Sequence, residues 1–257
     1  MDILRKELDR IYASQHLERE ILESSEIESC ICVADGISSV TNACLVITDA
    51  SCDKCYLFGG ALAPLLGIDD SPFTCKEIDS SDEDIIYIRL HPEDLPEKRM
   101  LEHEFFKFVD TLSAEEKVMY KATCRIRIKD KNNNYIVIDN STQIMRPSPA
   151  GKIWLILCSY DLSPDQTFNS GICARIKNNL TGEIIALSFA DKKTQILTKR
   201  EKEILNLIRE GKPSKQIADI LEISINTVNR HRQNILEKLS VGNSVEAITA
   251  ATAMRLL

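Results

Sequence analysis

Apolar positions recur along this chain with one of two periods, and the changes of period divide it into segments. Over residues 2–28, Leu4, Leu8 and Ile11, then Leu17, Ile21 and Leu22, stand among charged residues at helical spacing, which predicts a flanking helix. Gln15 and Glu18 fall where a heptad needs apolar side chains, so no long coiled coil is expected. From Ala43 the period becomes that of strands. Residues 43–48 and 55–58 read as two strands, the second closed by Gly59-Gly60. Residues 62–67 and the Asp/Ser-rich stretch after them read as short helices and loops. His91-Pro-Glu-Asp94 opens a helix that runs through Phe108. The cleanest alternation follows, with Ala122, Cys124, Ile126 and Ile128 on one face and Lys121, Thr123, Arg125 and Arg127 on the other. Residues 131–134 form a hairpin turn, residues 135–145 return, and residues 153–158 make an apolar strand buried on both faces. Residues 173–176 and 184–189, joined through 178–182, read as an extra hairpin. Residues 190–195 then form a short linker, which favours mechanical coupling between the flanking modules.

The remainder, residues 195–257, reads as four short helices. Thr198 and Glu201 form a capping box, Ile204, Leu205 and Ile208 make one apolar stripe, and Gly211 suits the left-handed position past the helix end. Pro213 fits the first turn of a second helix whose buried face is expected to be Ile217, Ile220 and Leu221. Only Glu222 and Ile223 separate Leu221 from Ser224, the cap of a third helix, so the pair is a helix–turn–helix. On that third helix Ile225, Val228, Ile235 and Leu239 share one face. Asn226, Asn229, Arg230 and Gln233, at i, i+3, i+4 and i+7, share another. A polar row alone is ordinary solvated surface; a row of Asn, Arg and Gln also has the side chains that read base edges in a major groove.

The residues around that row resemble the LuxR-type DNA-binding domain of bacterial transcription regulators. The resemblance rests on Leu197-Thr198-Lys199-Arg200-Glu201-Lys202-Glu203-Ile204-Leu205, then Ile217-Ala218 and Leu221, then Ile223-Ser224, Thr227-Val228, His231-Arg232, Ile235 and Lys238-Leu239. It covers about a quarter of the chain. Pro213 departs from the Ser or Thr that usually caps the second helix, and Asn229 stands where Lys is common. The resemblance implies site-specific binding of double-stranded DNA. Asn226, Asn229, Arg230 and Gln233 are then the base-side residues, and Lys199, Lys215, Thr227, Arg232 and Lys238 the phosphate-side ones. In this family the last helix pairs, which implies a homodimer on an inverted repeat. Here that helix begins at Asn243, capped with Glu246, and carries Ala247, Ile248, Ala250, Ala251, Ala253 and Met254 as a small-residue surface.

Residues 43–163 resemble a PAS domain through Leu65-Leu66-Gly67, the His91–Asp94 box, the strand with Arg125 and Arg127, and Gly151-Lys-Ile-Trp154 leading to Tyr160-Asp161-Leu162. The hairpin has Asn133-Asn134 where Asp-Gly is usual, which still suits a turn needing positive φ. This resemblance implies a sensory or dimerising module with a space between sheet and helices, open to an unidentified small-molecule ligand. The expected fold is α+β: a flanking helix and lead-in (1–42), a PAS-like antiparallel-sheet sensor domain (43–163), a linker with an extra β-hairpin (164–194), and an all-α LuxR-type helix-turn-helix domain of four helices (195–257).

Charge refines this picture. The net charge of −7 argues against indiscriminate nucleic-acid binding by the whole chain. From Leu197 onward, however, ten Lys/Arg stand against seven Asp/Glu, and the rest of the chain carries the acidic excess. One mildly basic module on an acidic body lets that module approach phosphates while the remainder stays off. No apolar run reaches membrane-spanning length and the first residues lack a signal peptide, so a cytoplasmic protein is expected.

Nine cysteines, an odd number irregularly spaced, point to reduced thiols. Cys44, Cys124, Cys158 and Cys173 sit in strand-like runs as small hydrophobes. Cys52-Asp-Lys-Cys55 alone has chemical potential, and supports the competing reading of a redox- or metal-sensing adaptor. His91 belongs to a helix start, and His103 alone does not make a haem site, so no cofactor is expected. No nucleophile–base constellation or Gly-rich phosphate loop is present in the sequence, and an enzyme is not expected.

Overall fold

The computed structural model describes residues 3–81, 83–168, 171–189, 197–239, 241–253 and 256–257. Two compact units emerge: Leu8–Leu187, and Ser188–Leu257 together with the first seven residues. The expected linker at 190–195 lies outside the described residues.

The flanking helix expected over residues 2–28 is two helices. α1 spans Ile3–Ser14 and α2 spans Ser24–Thr41, with a short 3₁₀ turn at Leu17–Arg19 between them. Gln15 is the cause. Its buried amide donates to Asp110 Oδ1 (3.2 Å) and to the Ile11 carbonyl (3.2 Å), while its oxygen accepts from the Ile153 N–H (3.0 Å). His16 follows with φ of 53°, a left-handed conformation that ends the helix. The heptad failure at Gln15 thus marks a helix end fixed by three hydrogen bonds.

Eight antiparallel strands follow: β1 (Cys44–Asp49), β2 (Lys54–Gly59), β3 (Phe73–Ile78), β4 (Tyr120–Lys129), β5 (Tyr135–Pro147), β6 (Ile153–Leu162), β7 (Arg175–Asn178) and β8 (Ile184–Ala186). They form one sheet in the order β3-β2-β1-β6-β5-β4-β7-β8. Between β2 and β4 the chain makes α3 (Leu62–Leu66), α4 (Asp84–Tyr87), α5 (Asp94–Asp110) and α6 (Ala114–Lys117). β4 alternates as its sequence predicts, with Ala122, Cys124, Ile126 and Ile128 buried. The β4–β5 hairpin turns on Asn133 at φ of 64°, and Asp130 Oδ1 accepts the N–H groups of Asn132 and Asn134 (both 2.8 Å). β3 was not expected, because Phe73–Ile78 shows no buried face: its residues are half-buried or exposed at the sheet edge.

A buried apolar cluster including Cys30, Ala34, Leu45, Ile47, Tyr56, Phe58 and Trp154 joins α2 to β1, β2 and β6. The inner side of α5 is different. Phe105, Phe106, Leu101 and Val109 are buried, but so are Lys98, Arg99 and Glu102. Lys98 Nζ lies 2.9 Å from Glu102 Oε1 and 3.4 Å from Thr142 Oγ1 on β5, and Arg99 approaches the other Glu102 oxygen at 3.5 Å. The Tyr87 hydroxyl donates to Glu102 and the Tyr160 hydroxyl to Glu83. Burial works against the Lys98 charge, yet Glu102 beside it raises the ammonium pKa. Burial opposes the Glu102 charge too, but Lys98 and Arg99 hold that carboxylate low. Glu83 is pushed up by burial, only partly offset by Lys98. The interior facing α5 is therefore a hydrogen-bonded polar cluster inside an otherwise apolar core.

The second unit contains α7 (Lys199–Arg209), α8 (Ser214–Leu221), α9 (Ile225–Leu239) and α10 (Ser244–Ala253). They enclose Leu197, Ile204, Leu205, Ile217, Ala218, Val228, Ile235, Leu239, Ala247, Ala250, Ala251 and Leu256. Among the described residues, no helix is long and apolar enough to cross a membrane.

Candidate nucleic-acid interface

The helix–turn–helix is assembled from local rules. Thr198 Oγ1 accepts from the Glu201 N–H (3.2 Å) while Glu201 Oε2 accepts from the Thr198 N–H (2.8 Å), completing the capping box of α7. Gly211 takes φ of 79° past the end of α7. Pro213 stands at the N-cap of α8 rather than within its first turn, with φ of −72° and ψ of 158°, and Ser214 is the first helical residue. Glu222 adopts the left-handed conformation that turns the chain between α8 and α9. Ser224 Oγ accepts from the Thr227 N–H (3.0 Å), the cap predicted for the third helix. Arg200 Nη2 donates to the Leu221 carbonyl (2.7 Å), tying α7 to the end of α8.

This frame fixes how α9 is rotated. Val228, Ile235 and Leu239 are buried, so Asn226, Asn229, Arg230 and Gln233 come together as one exposed row. Gln233 has one intrahelical contact, its amide donating to Glu237 Oε1 at 3.4 Å. Thr227 is exposed beside the Ser224 cap, and Lys199 and Lys215 are exposed at the starts of α7 and α8. Seven of the nine expected DNA-facing residues are therefore open to solvent.

The other two are not. Arg232 is half-buried and donates to Ser214 Oγ (3.3 Å) and Ser244 Oγ (2.9 Å), joining α9 to the first residues of α8 and α10. Lys238 lies 2.7 Å from the buried Glu201 carboxylate. Burial opposes the Glu201 charge, but Lys238 and the Thr198 N–H hold its pKa below the ordinary carboxylate range. Both cations hold helices together. Ser214 and Ser244 were missed as partners of Arg232; the signal was that each follows a helix-capping residue.

Three apolar expectations also change. Ile220 is 52% exposed and Ile225 is 45% exposed, since Ile217 and Ala218 fill the inner face of α8 and Ile225 lies on the open first turn of α9. On α10, Ala247, Ala250 and Ala251 pack into the unit's own core and cannot form a pairing surface. The exposed residues of that helix include Val245, Thr249 and Thr252, and Met254 lies outside the described residues. The Asn243–Glu246 cap is present, with the Glu246 N–H donating to Asn243 Oδ1 (3.0 Å) and Asn243 Nδ2 to Glu246 Oε1 (2.8 Å).

The competing cysteine pair finds no support. Cys52 is exposed in the β1–β2 turn, where partial burial and neighbouring Asp49 push its thiol up to about 11, the reverse of an activated thiolate. Cys55 is buried against Thr48 Oγ1 at 3.3 Å. Among the described residues no three His, Cys, Asp or Glu side chains cluster as metal ligands.

Residues 195–251 match the family described as bacterial regulatory proteins, luxR family. The C-terminal segment is a LuxR-type helix-turn-helix domain. Over this domain the chain is similar to the uncharacterized response regulatory protein YgeK of Escherichia coli K12, at 50% identity over 58 residues, 23% of this chain and 40% of that one. It is also similar to the transcriptional regulatory protein DesR of Bacillus subtilis 168, at 53% identity over 53 residues, 21% and 27% of the two chains. The chain thus spans less than half the length of these relatives. Among solved structures, the Vibrio cholerae VqmA dimer, described as a LuxR-type receptor, aligns over 88% of both chains at 16% identity and a TM-score of 0.29, too low to bear on either unit's fold.

Proposed function

We propose that this chain is a bacterial transcription regulator that binds specific duplex DNA through α9 of its LuxR-type domain, as a homodimer on an inverted repeat, under the control of a PAS-like sensor domain. The observation that carries the DNA reading is the exposed row Asn226, Asn229, Arg230 and Gln233 on a helix seated by Val228, Ile235 and Leu239. Arg and Asn or Gln are the side chains that make bidentate contacts to guanine and adenine edges. Lys199, Lys215 and Thr227 flank the row as phosphate contacts. A recognition helix reads only a few base pairs, which is why two copies are needed for genomic discrimination.

The PAS-like reading is supported by strand order. Within the sheet, β2-β1-β6-β5-β4 is a five-stranded antiparallel unit, and the helices between β2 and β4 follow one another as in that fold. A small-molecule signal would act where the core is polar, at Lys98, Glu102, Tyr87, Tyr160 and Glu83 beneath α5. The test is quantitative footprinting of the full chain on DNA upstream of its own gene, against random duplex at fixed salt. A specific site bound ~10³-fold or more above random DNA is expected. Equal affinity for both would sink the proposal.

A further inference from the structure

α5 faces two ways. Lys98 and Glu102, one turn apart, point into the polar core, where Thr142 meets the first and Tyr87 the second. Asp94 and Glu97, on a neighbouring face, hold the segment that leaves the sheet after β6. Glu97 and Lys98 are successive residues, about 100° apart round one rigid helix.

Between β6 and β7 the described residues form neither helix nor strand, and side chains hold them instead. The Gln166 amide donates to the Val137 carbonyl on β5 (3.0 Å), and its oxygen accepts the Val137 N–H (2.9 Å). Arg125 donates to the carbonyls of Asp165 and Thr167, the latter at 3.0 Å. Phe168 lies over the Arg127 guanidinium at 4.1 Å, and Arg127 is held in turn by Asp94 (2.6 Å) and Glu93 (2.8 Å). Buried Glu97 completes the set by accepting the Ile172 N–H (2.9 Å). Ile172 stands between two left-handed residues, Gly171 at φ of 77° and Cys173 at φ of 52°. Gly171 suits that conformation, and a Cβ there would stand 3.4 Å from the Glu97 carboxylate. Cys173 does not suit it, so its backbone is strained and stays so because the contacts around it impose the conformation.

We propose that this segment is a strap that α5 latches and releases, so that a change in the polar core is passed to the chain running on through β7 and β8. A shift of α5 large enough to rearrange Lys98 and Glu102 carries Glu97 with it. The Ile172 N–H then loses its acceptor, Cys173 relaxes, and β7, which begins at Arg175, loses its fixed start. From β8 the chain continues to Ser188, where the second unit begins. Latched and released straps are the two discrete arrangements that such coupling needs. The proposal rests on the polar core as the place where a signal acts, but the latch itself is tested without any signal molecule.

Hydrogen exchange of the full chain, read by mass spectrometry over residues 163–175, is the test. Glu97→Ala should speed exchange of the Ile172 amide about ten-fold, the size of one lost charge-assisted hydrogen bond, while Glu97→Gln, which keeps an acceptor, should stay near wild type. Tyr87→Phe, which removes one hydroxyl from the core, should speed the same amide and add nothing in the Glu97→Ala background. Peptides from β1 and β2 should keep their wild-type rates; if Tyr87→Phe loosens these too, Thr142→Val takes its place. Strap exchange untouched by the core variant, or raised equally with and without Glu97, would overturn the proposal. Glu97→Ala should also change operator affinity by about five-fold or more, and equal affinity in the two chains would overturn transmission to the second unit. A wild-type chain without a specific site would count against the DNA-binding reading instead, and the exchange comparison would still decide the latch.

Discussion

Arg230 and Arg232 are two residues apart on α9 and do opposite things. Arg230 is exposed in the polar row, whereas Arg232 donates to Ser214 and Ser244. Periodicity separates the faces of a helix, but it does not say what another helix offers to a half-buried cation. For that reason the exposed polar row was legible in the sequence, and the helix-to-helix ties of Arg232 and Lys238 were not. The two arginines should be separable by experiment. Arg230→Ala should cost ~1–3 kcal/mol of specific binding and relax preference at one base pair, without lowering the thermal midpoint. Arg232→Ala should lower the midpoint, at about 0.5–1.5 kcal/mol per hydrogen bond lost, and should weaken all DNA sequences alike. Paired binding and melting measurements check both; equal melting temperatures would return Arg232 to the phosphate side. Glu201 supplies a pH signature. Its pKa is lower folded than unfolded, so its contribution is present above the unfolded value and is lost as pH falls through the folded one. The wild-type chain should therefore exceed Glu201→Gln in stability at neutral pH, with the gap closing in acid. A gap that stays constant from neutral to acid pH would show that the Lys238 pair contributes no linkage.

Elements were legible where one physical signal dominated. β4 was found because every second residue is apolar, and β6 because residues 153–158 are apolar without interruption. α7 and α9 were found because their capping residues stand ahead of helical stripes. α2 was missed because its buried residues, Cys30, Ala34 and Ser38, are small or polar, Ile27 and Ile31 are only half-buried, and Val33, Ile37 and Val40 face water. β3 was missed because an edge strand without a buried face carries no alternation to read. The start of α8 shows the limit of residue statistics: Pro213 holds extended backbone at the N-cap and offers no side-chain acceptor. Lys215, in the first turn beyond it, is exposed, and is proposed above as a phosphate contact. Lys215→Ala should weaken binding to all duplexes similarly and reduce the slope of log affinity against log salt by roughly one. A salt titration of the variant with an unchanged slope would remove Lys215 from the interface.

At the scale of the whole molecule, the proposed function requires an acidic chain to bring a small basic module to DNA twice over. The small-residue surface expected on α10 is not available for this, since Ala247, Ala250 and Ala251 fill the core of their own unit. Ala250→Glu would bury a charge and unfold the domain, so it cannot report on pairing. What α10 leaves outside is Val245, 74% exposed, in line with Thr249 and Thr252 one and two turns further on. If this edge of α10 joins two DNA-binding domains, Val245→Glu should set two like charges against each other across the two-fold, while the monomer tolerates it. The expected result is a footprint reduced from two half-sites, about one DNA turn apart, to one. Half-site affinity should be unchanged and operator affinity lower, because the second recognition helix no longer arrives at high effective concentration. A full two-half-site footprint at wild-type affinity would place the pairing elsewhere.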